Sequence, residues 1–288
     1  MQWLRRLFQR NRPQIPEVLW HDCVARMPFL RRLSDADLLR LKQLAETLLD
    51  TKGITAAGGL DLSDEIAVLV AAQAALPVLN LSLDLYRDMA GIIVYPSAFI
   101  VSHSEVDEDG VVHEWQEPLS GEAVNSGGAV VLSWEDAQYD LDDLGDLGQP
   151  GSGAACNVVI HEFSHKIDML RGDANGYPPF LAKYHQGISA ELWQQGFTRA
   201  YADFSARLDV LEQQLPPDFD PDDPACAAHY DALTAALPLD PYAAYHPAEF
   251  FAVASEAFFV RPAPMAAAYP EIYRLLSQYY RQDTLSAA

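Results

Sequence analysis

IHEFSHKID, residues 160–168, sets His161 and His165 four positions apart with Glu162 between them. On a helix, two histidines at that spacing point their imidazoles at one metal ion, and the glutamate stands where a general base takes a proton from water beside that ion. This is the signature of a metallopeptidase active-site helix. NVVI before the motif and KIDML after it extend the predicted helix over 157–170. His161, His165 and Asp168 fall at i, i+4 and i+7 on one stripe, while Ile160, Phe163, Ile167 and Leu170 supply apolar surface beside it.

Outward from the motif, the chain divides into a helical part and a mixed part. SDADLLRLKQLAETLL, from Ser34, opens on a serine cap with an acidic first turn and carries leucines at helical spacing. The apolar run 64–76 closes at Pro77, and 79–85 reads as a third, short helix. Strand periodicity follows at 92–101, at 111–115 beyond an acidic DEDG turn, and at 128–134. An edge strand near the metal pairs with an extended peptide in such a site, and 128–134 is the expected edge. The acidic, glycine-rich connection over 140–153 is the expected mobile cover of the site. After the motif come a long helical pattern over 187–215, a Pro- and Asp-rich loop over 216–224, the apolar PAEFFAVASEAFF helix opened by Pro247, and a last helix over 269–281. The expected architecture is α+β: an N-terminal helical layer, residues 1–90, packed on a catalytic part, residues 91–288, with a small mixed sheet and the HExxH helix.

Composition narrows the partners. A formal charge of −22 opposes nucleic acid and anionic membrane, both of which would be repelled over most of the surface. Residues 1–42 run against this with a net charge of +5, leaving −27 for the rest. Trp3, Leu4, Leu7 and Phe8 among arginines there form a short basic amphipathic stretch, read as a frayed or docked terminus. No run of eighteen apolar residues and no signal-peptide pattern is present, so no membrane span is expected. Cys23, Cys156 and Cys226 are distant from one another and odd in number, which favours small buried thiols in a reducing cytoplasm over a disulfide framework.

A catalytic zinc requires a third protein ligand and an open position. The extended metzincin pattern would place Gly at 168 and His at 171, where this chain has Asp168 and Arg171. His185, His229, His246, Glu249 and Glu256 remain. Glu249 is favoured, because it sits in the first turn of an apolar helix from which its carboxylate projects toward the HExxH helix. Glu256 lies seven residues on, on the same face. One of the pair binds the metal while the other holds a ligand histidine in its tautomer. A carboxylate on so apolar a helix needs a partner that offsets its desolvation, and a metal is such a partner.

With IHEFSHKID and DPYAAYHPAEFFAVASEAFF in place, together with IIVYP and VVLSW, the chain resembles the Mlc titration factor A (MtfA) family of bacterial zinc peptidases over nearly its whole length. The resemblance implies a zincin-like fold with a gluzincin-type site related to the catalytic domain of anthrax lethal factor. It implies one zinc ion per chain on His161, His165 and Glu249, Glu162 as general base, and Tyr242 close to the metal as a donor to the developing oxyanion. Asp168 and Glu256 are expected to orient the ligands. It further implies aminopeptidase-like action on short peptide substrates and binding of the glucose-responsive repressor Mlc, which relieves repression of sugar-uptake genes. The contrasting expectation is a non-catalytic regulatory protein that sequesters a transcriptional repressor. The chain departs from the pattern at His246, where an Asp or Asn helix cap is expected.

Overall fold

A computed structural model describes residues 14–106, 112–123, 127–143, 156–221 and 223–286. The N-terminal basic stretch, the DEDG turn and most of the proposed cover over 140–153 lie outside these residues.

The N-terminal layer consists of α1 (Glu17–Ala25), α2 (Asp35–Thr51) and α3 (Asp64–Ala75). Ser34 and Ser63 cap α2 and α3, accepting from the amides of Asp37 and Ile66. The apolar residues of α3 surround it on all sides, and from Ile66 to Ala75 every side chain is buried. The segment expected as a third short helix instead forms 3₁₀ turns at Leu76–Val78 and Leu83–Tyr86, because Pro77 cannot donate to a continuing α-helix.

Two sheets follow. β1 (Ile54–Ala56), β2 (Ile92–Tyr95), β5 (Gly121–Ala123) and β6 (Val130–Ser133) form a mixed sheet in the order β1-β2-β6-β5; β2 runs parallel to β1 and β6, and β5 antiparallel to β6. β3 (Phe99–Val106) and β4 (Val112–Leu119) make a separate antiparallel pair. The single strand expected over 92–101 is therefore two, broken at Pro96, which has no amide for a ladder. The expected edge is also corrected. β6 lies between β2 and β5, so its hydrogen-bonding groups face partners on both sides, and the edge next to it is the short β5. The acidic connection begins as a helix, α4 (Trp134–Asp143), with Glu135 and Asp136 in its first turn.

The remaining helices are α5 (Val158–Asp168), α6 (Ala190–Glu212), α7 (Pro224–Thr234), α8 (Pro247–Val260), α9 (Pro262–Ala268) and α10 (Pro270–Tyr280). α5 packs on α8, α3, β5 and β6. Aromatic side chains fill the space behind it: Trp193 and Phe197 of α6, Phe250 and Phe251 of α8, and Tyr279 of α10 meet in one set of ring contacts. Phe163 of α5 makes an edge contact with Tyr86, 5.0 Å between centroids. Buried residues from Ile15 to Tyr280 belong to one core, so the N-terminal helices share packing with the helix that carries the motif. Of the cysteines, Cys23 is buried as expected, whereas Cys156 is exposed and Cys226 is intermediate. Among the described residues no helix is long and apolar enough to cross a membrane.

Candidate metal centre

The side chain of Asn157 starts α5: its Oδ1 accepts from the amide of Ile160 at 2.9 Å. The next turn carries His161 and Glu162 and the following one His165, with the two imidazole centroids 4.8 Å apart. α8 is started by His246, whose Nδ1 accepts from the amide of Ala248 at 3.2 Å. The histidine thus performs the capping expected of Asp or Asn, and Glu249 emerges in the first turn.

These two helices bring three donor atoms together. His161 Nε2 lies 3.0 Å from Glu249 Oε2, His165 Nε2 lies 3.1 Å from the same oxygen, and the two nitrogens are 3.1 Å apart. All three donor atoms lie within 4.8 Å of one another, and the donor set and spacing fit zinc. A tetrahedral ion with bonds of about 2.0–2.1 Å separates its ligands by roughly 3.3 Å. One shared proton cannot satisfy two imidazole nitrogens and a carboxylate oxygen facing one point, whereas a cation can.

The other carboxylates take distinct positions. Glu256 is 5% exposed; its Oε1 meets His161 Nδ1 at 2.6 Å, and its Oε2 accepts from the amide of Asn157. With Nε2 of His161 turned to the ligand trio, Nδ1 carries the proton that Glu256 accepts. Burial works against a charged His161, but Glu256 and Glu249 outweigh it and hold that imidazole well above its ordinary range. Burial also works against ionised Glu249, and the two imidazoles overcome it, placing its carboxyl well below the usual range. Glu162, 5% exposed, is pushed upward, chiefly by burial and against the pull of both imidazoles. A carboxylate whose affinity for a proton is raised in this way suits a general base.

Glu162 abuts the sheet edge. A Cβ added at Gly121 of β5 would lie 2.5 Å from Glu162 Oε1 and 2.8 Å from Val158 Cγ2, so only glycine lets the strand pass this close. Tyr242 sits in a 3₁₀ turn, Pro241–Ala244, capped by Asp240, which accepts from the Tyr242 amide at 2.8 Å. Its ring centroid is 6.0 Å from that of His161, and it is 49% exposed, an aromatic at the mouth of the cluster rather than in the core. Asp168, one turn beyond His165, accepts through its Oδ2 from the amides of Asn175 and Gly176 at 2.7 and 2.6 Å, which fixes the turn after α5. Its Oδ1 and the Nδ1 of His165 are both buried without a hydrogen-bond partner among the described residues.

Of the alternative ligands, His185 is buried elsewhere, with Nδ1 accepting from Leu181 and Nε2 against the Tyr279 carbonyl, and His229 lies on α7 away from the trio. Sequence reasoning missed Gln73 of α3, 1% exposed, whose Oε1 accepts from Asn157 Nδ2 at 2.7 Å. A lone glutamine inside an otherwise apolar helix was its visible signal, since a buried amide must find a partner. Lys166, also missed, is buried on α5 and donates to the Gly128 carbonyl at 3.1 Å; burial pushes its ammonium down to about 8 against the opposing pull of Glu162 and Glu122.

Comparison with known proteins agrees with this geometry. Residues 1–281 match the family described as glucose-regulated metallo-peptidase M90. The proteins named Mlc titration factor A of Yersinia pestis (strain Pestoides F) and of Yersinia pseudotuberculosis serotypes O:1b and O:3 are each 30% identical over 282 residues, covering 97% of this chain and 90% of theirs.

Proposed function

The chain belongs to the glucose-regulated metallo-peptidase M90 family, and from that premise we propose that it is a zinc-dependent, aminopeptidase-like hydrolase of short peptides with a zincin-like catalytic fold. The observation that carries this reading is the convergence of His161 Nε2, His165 Nε2 and Glu249 Oε2 beside a buried Glu162 at the edge of a sheet. Bound to those three atoms, zinc would supply a Lewis acid that acidifies a water molecule and polarises the scissile carbonyl.

The protein's own residues do the rest. Glu162 takes the proton of the attacking water and passes it to the leaving amine, for which its burial-raised carboxyl is suited. Tyr242 donates its phenolic hydrogen to the developing oxyanion. Glu256 fixes the tautomer of His161, and Asp168 shapes the turn behind His165. An extended substrate adds to β5, where the glycine backbone brings the scissile bond close to Glu162. A net charge of −22 favours a substrate presenting a free ammonium group, which supports action at an amino terminus.

The relatives' name supports a second role, binding of a Mlc-like repressor, which Glu162→Gln leaves intact if it is separate from hydrolysis. The test of the metal assignment is the zinc content of protein purified without chelators. Wild type should carry about one ion per chain, and Glu249→Ala should lose it on dialysis. Full zinc retention in Glu249→Ala would remove Glu249 from the ligand set.

A further inference from the structure

Away from the metal centre, four separate segments line a cavity of about 490 Å³: Arg40 of α2, Asn80 beyond α3, Lys183 and Tyr184 between α5 and α6, and Arg281 just past α10. We infer that this recess is a binding site for a small phosphate-bearing anion, independent of the peptidase reading.

Charge is the first argument. The chain has 41 acidic against 19 basic side chains, so three cations lining one recess with no acidic residue in its wall run against the composition. Among the described residues none of the three, all solvent-exposed, enters an ion pair; Arg31, Arg171 and Arg274 are likewise outside any, but here three such cations line one recess. Gathering cations without a counter-charge costs free energy that an anion would recover.

The second argument is that the wall is built. Lys183 Nζ lies 4.9 Å and Arg281 Cζ 5.9 Å from the centre of the Tyr184 ring, so one aromatic face system positions both cations. Tyr184 is anchored by its amide to the Leu181 carbonyl and precedes the buried His185, which stacks on Tyr279 at 4.3 Å. Arg281 adopts a left-handed backbone at φ 55°, the one non-glycine residue with positive φ among those described. That position after a helix is commonly glycine, and an L-residue there is strained. The Arg281 carbonyl accepts from Asn80 Nδ2 at 2.9 Å, which ties the backbone of one lining residue to the side chain of another.

Two guanidinium groups and an ammonium are the donors that phosphate oxygens take, and the volume is in the range of small-molecule sites. Two phosphate groups on one small molecule carry a negative charge comparable to that of the three cations, and a sugar bisphosphate serves as the probe.

Titration calorimetry of the full chain with fructose bisphosphate, with inorganic phosphate and with succinate as a carboxylate counterpart tests this. Saturable binding of the bisphosphate is expected, tighter than that of inorganic phosphate or succinate. The double variant Arg40→Gln/Lys183→Gln, and separately Arg281→Asn, which keeps a residue tolerant of the left-handed backbone, should each weaken it by about tenfold or more. Arg207→Gln, outside the recess and paired with Asp203, should leave it unchanged. Because Arg40 and Lys183 are exposed, the double variant tests the site even if Arg281→Asn misfolds. No bisphosphate binding, equal weakening by Arg207→Gln, unchanged affinity in the double variant, or tighter binding of succinate would each overturn the assignment.

Discussion

Replacing Asn157 with alanine probes how the N-terminal helices set the metal centre. Asn157 is 1% exposed and makes three contacts: Oδ1 caps α5 through Ile160, Nδ2 donates to Gln73 Oε1, and its amide donates to Glu256, which in turn holds His161. Loss of the cap costs about 1 kcal/mol. Stranding the buried Gln73 oxygen costs a further 1–3 kcal/mol or so, the desolvation penalty of an acceptor that loses its donor. Asn157→Ala should therefore lower the unfolding free energy of the chelated protein by roughly 2–4 kcal/mol in urea titrations. Asn157→Ser keeps a capping oxygen and should recover about 1 kcal/mol of that loss. Gln73→Met in the Asn157→Ala background removes the stranded amide, so the double variant should be more stable than the additive sum by about 1 kcal/mol. A loss below about 0.5 kcal/mol for Asn157→Ala, or strict additivity with Gln73→Met, would refute the reasoning.

Three further outcomes follow from the geometry. Gly121→Ala places a methyl group 2.5 Å from Glu162 Oε1, so turnover should fall at least tenfold while zinc content stays at wild type; unchanged kcat/KM would show that β5 does not constrain the base. Tyr242→Phe removes one oxyanion donor and should lower kcat by about 10²-fold with little change in KM, a split that steady-state kinetics over a range of substrate concentration reads directly; an unchanged kcat would remove Tyr242 from that role. His185 titrates below its ordinary value of 6.5, first because burial penalises its charge. The unfolded chain therefore takes up this proton before the folded one does, and the stability present above pH 6.5 is lost as pH falls toward the depressed folded value. His185→Gln should flatten that slope in wild type minus variant difference curves, and an undiminished slope would exclude His185 as its source.

Much of the site was readable because its chemistry is local. HExxH spacing alone fixes two imidazoles and a carboxylate on one helix, and an acidic residue in the first turn of an apolar helix marks Glu249. The strand edge was misread for a physical reason: the hydrophobic pattern of 128–134 says that a strand is buried, and a buried strand is more often interior than at the edge. β5, with only three residues beginning in glycine, carries almost no periodic signal, yet it is the strand beside Glu162. Gln73 and Asn157 are 84 residues apart, and no local pattern announces a hydrogen bond closed over that distance. Tyr242 shows the same limit, since its exposure depends on a turn capped by Asp240 and not on its own neighbours in sequence.

On the proposed reading Glu162 is the base of a metal-dependent hydrolysis. The most direct measurement is turnover of a panel of amino-acid and short-peptide chromogenic substrates by wild type and Glu162→Gln, each with its zinc content determined on the same preparation. Both proteins should carry about one zinc ion per chain, with chelator-sensitive turnover in wild type and none in the variant. Equal turnover in Glu162→Gln at equal zinc content would contradict that reading.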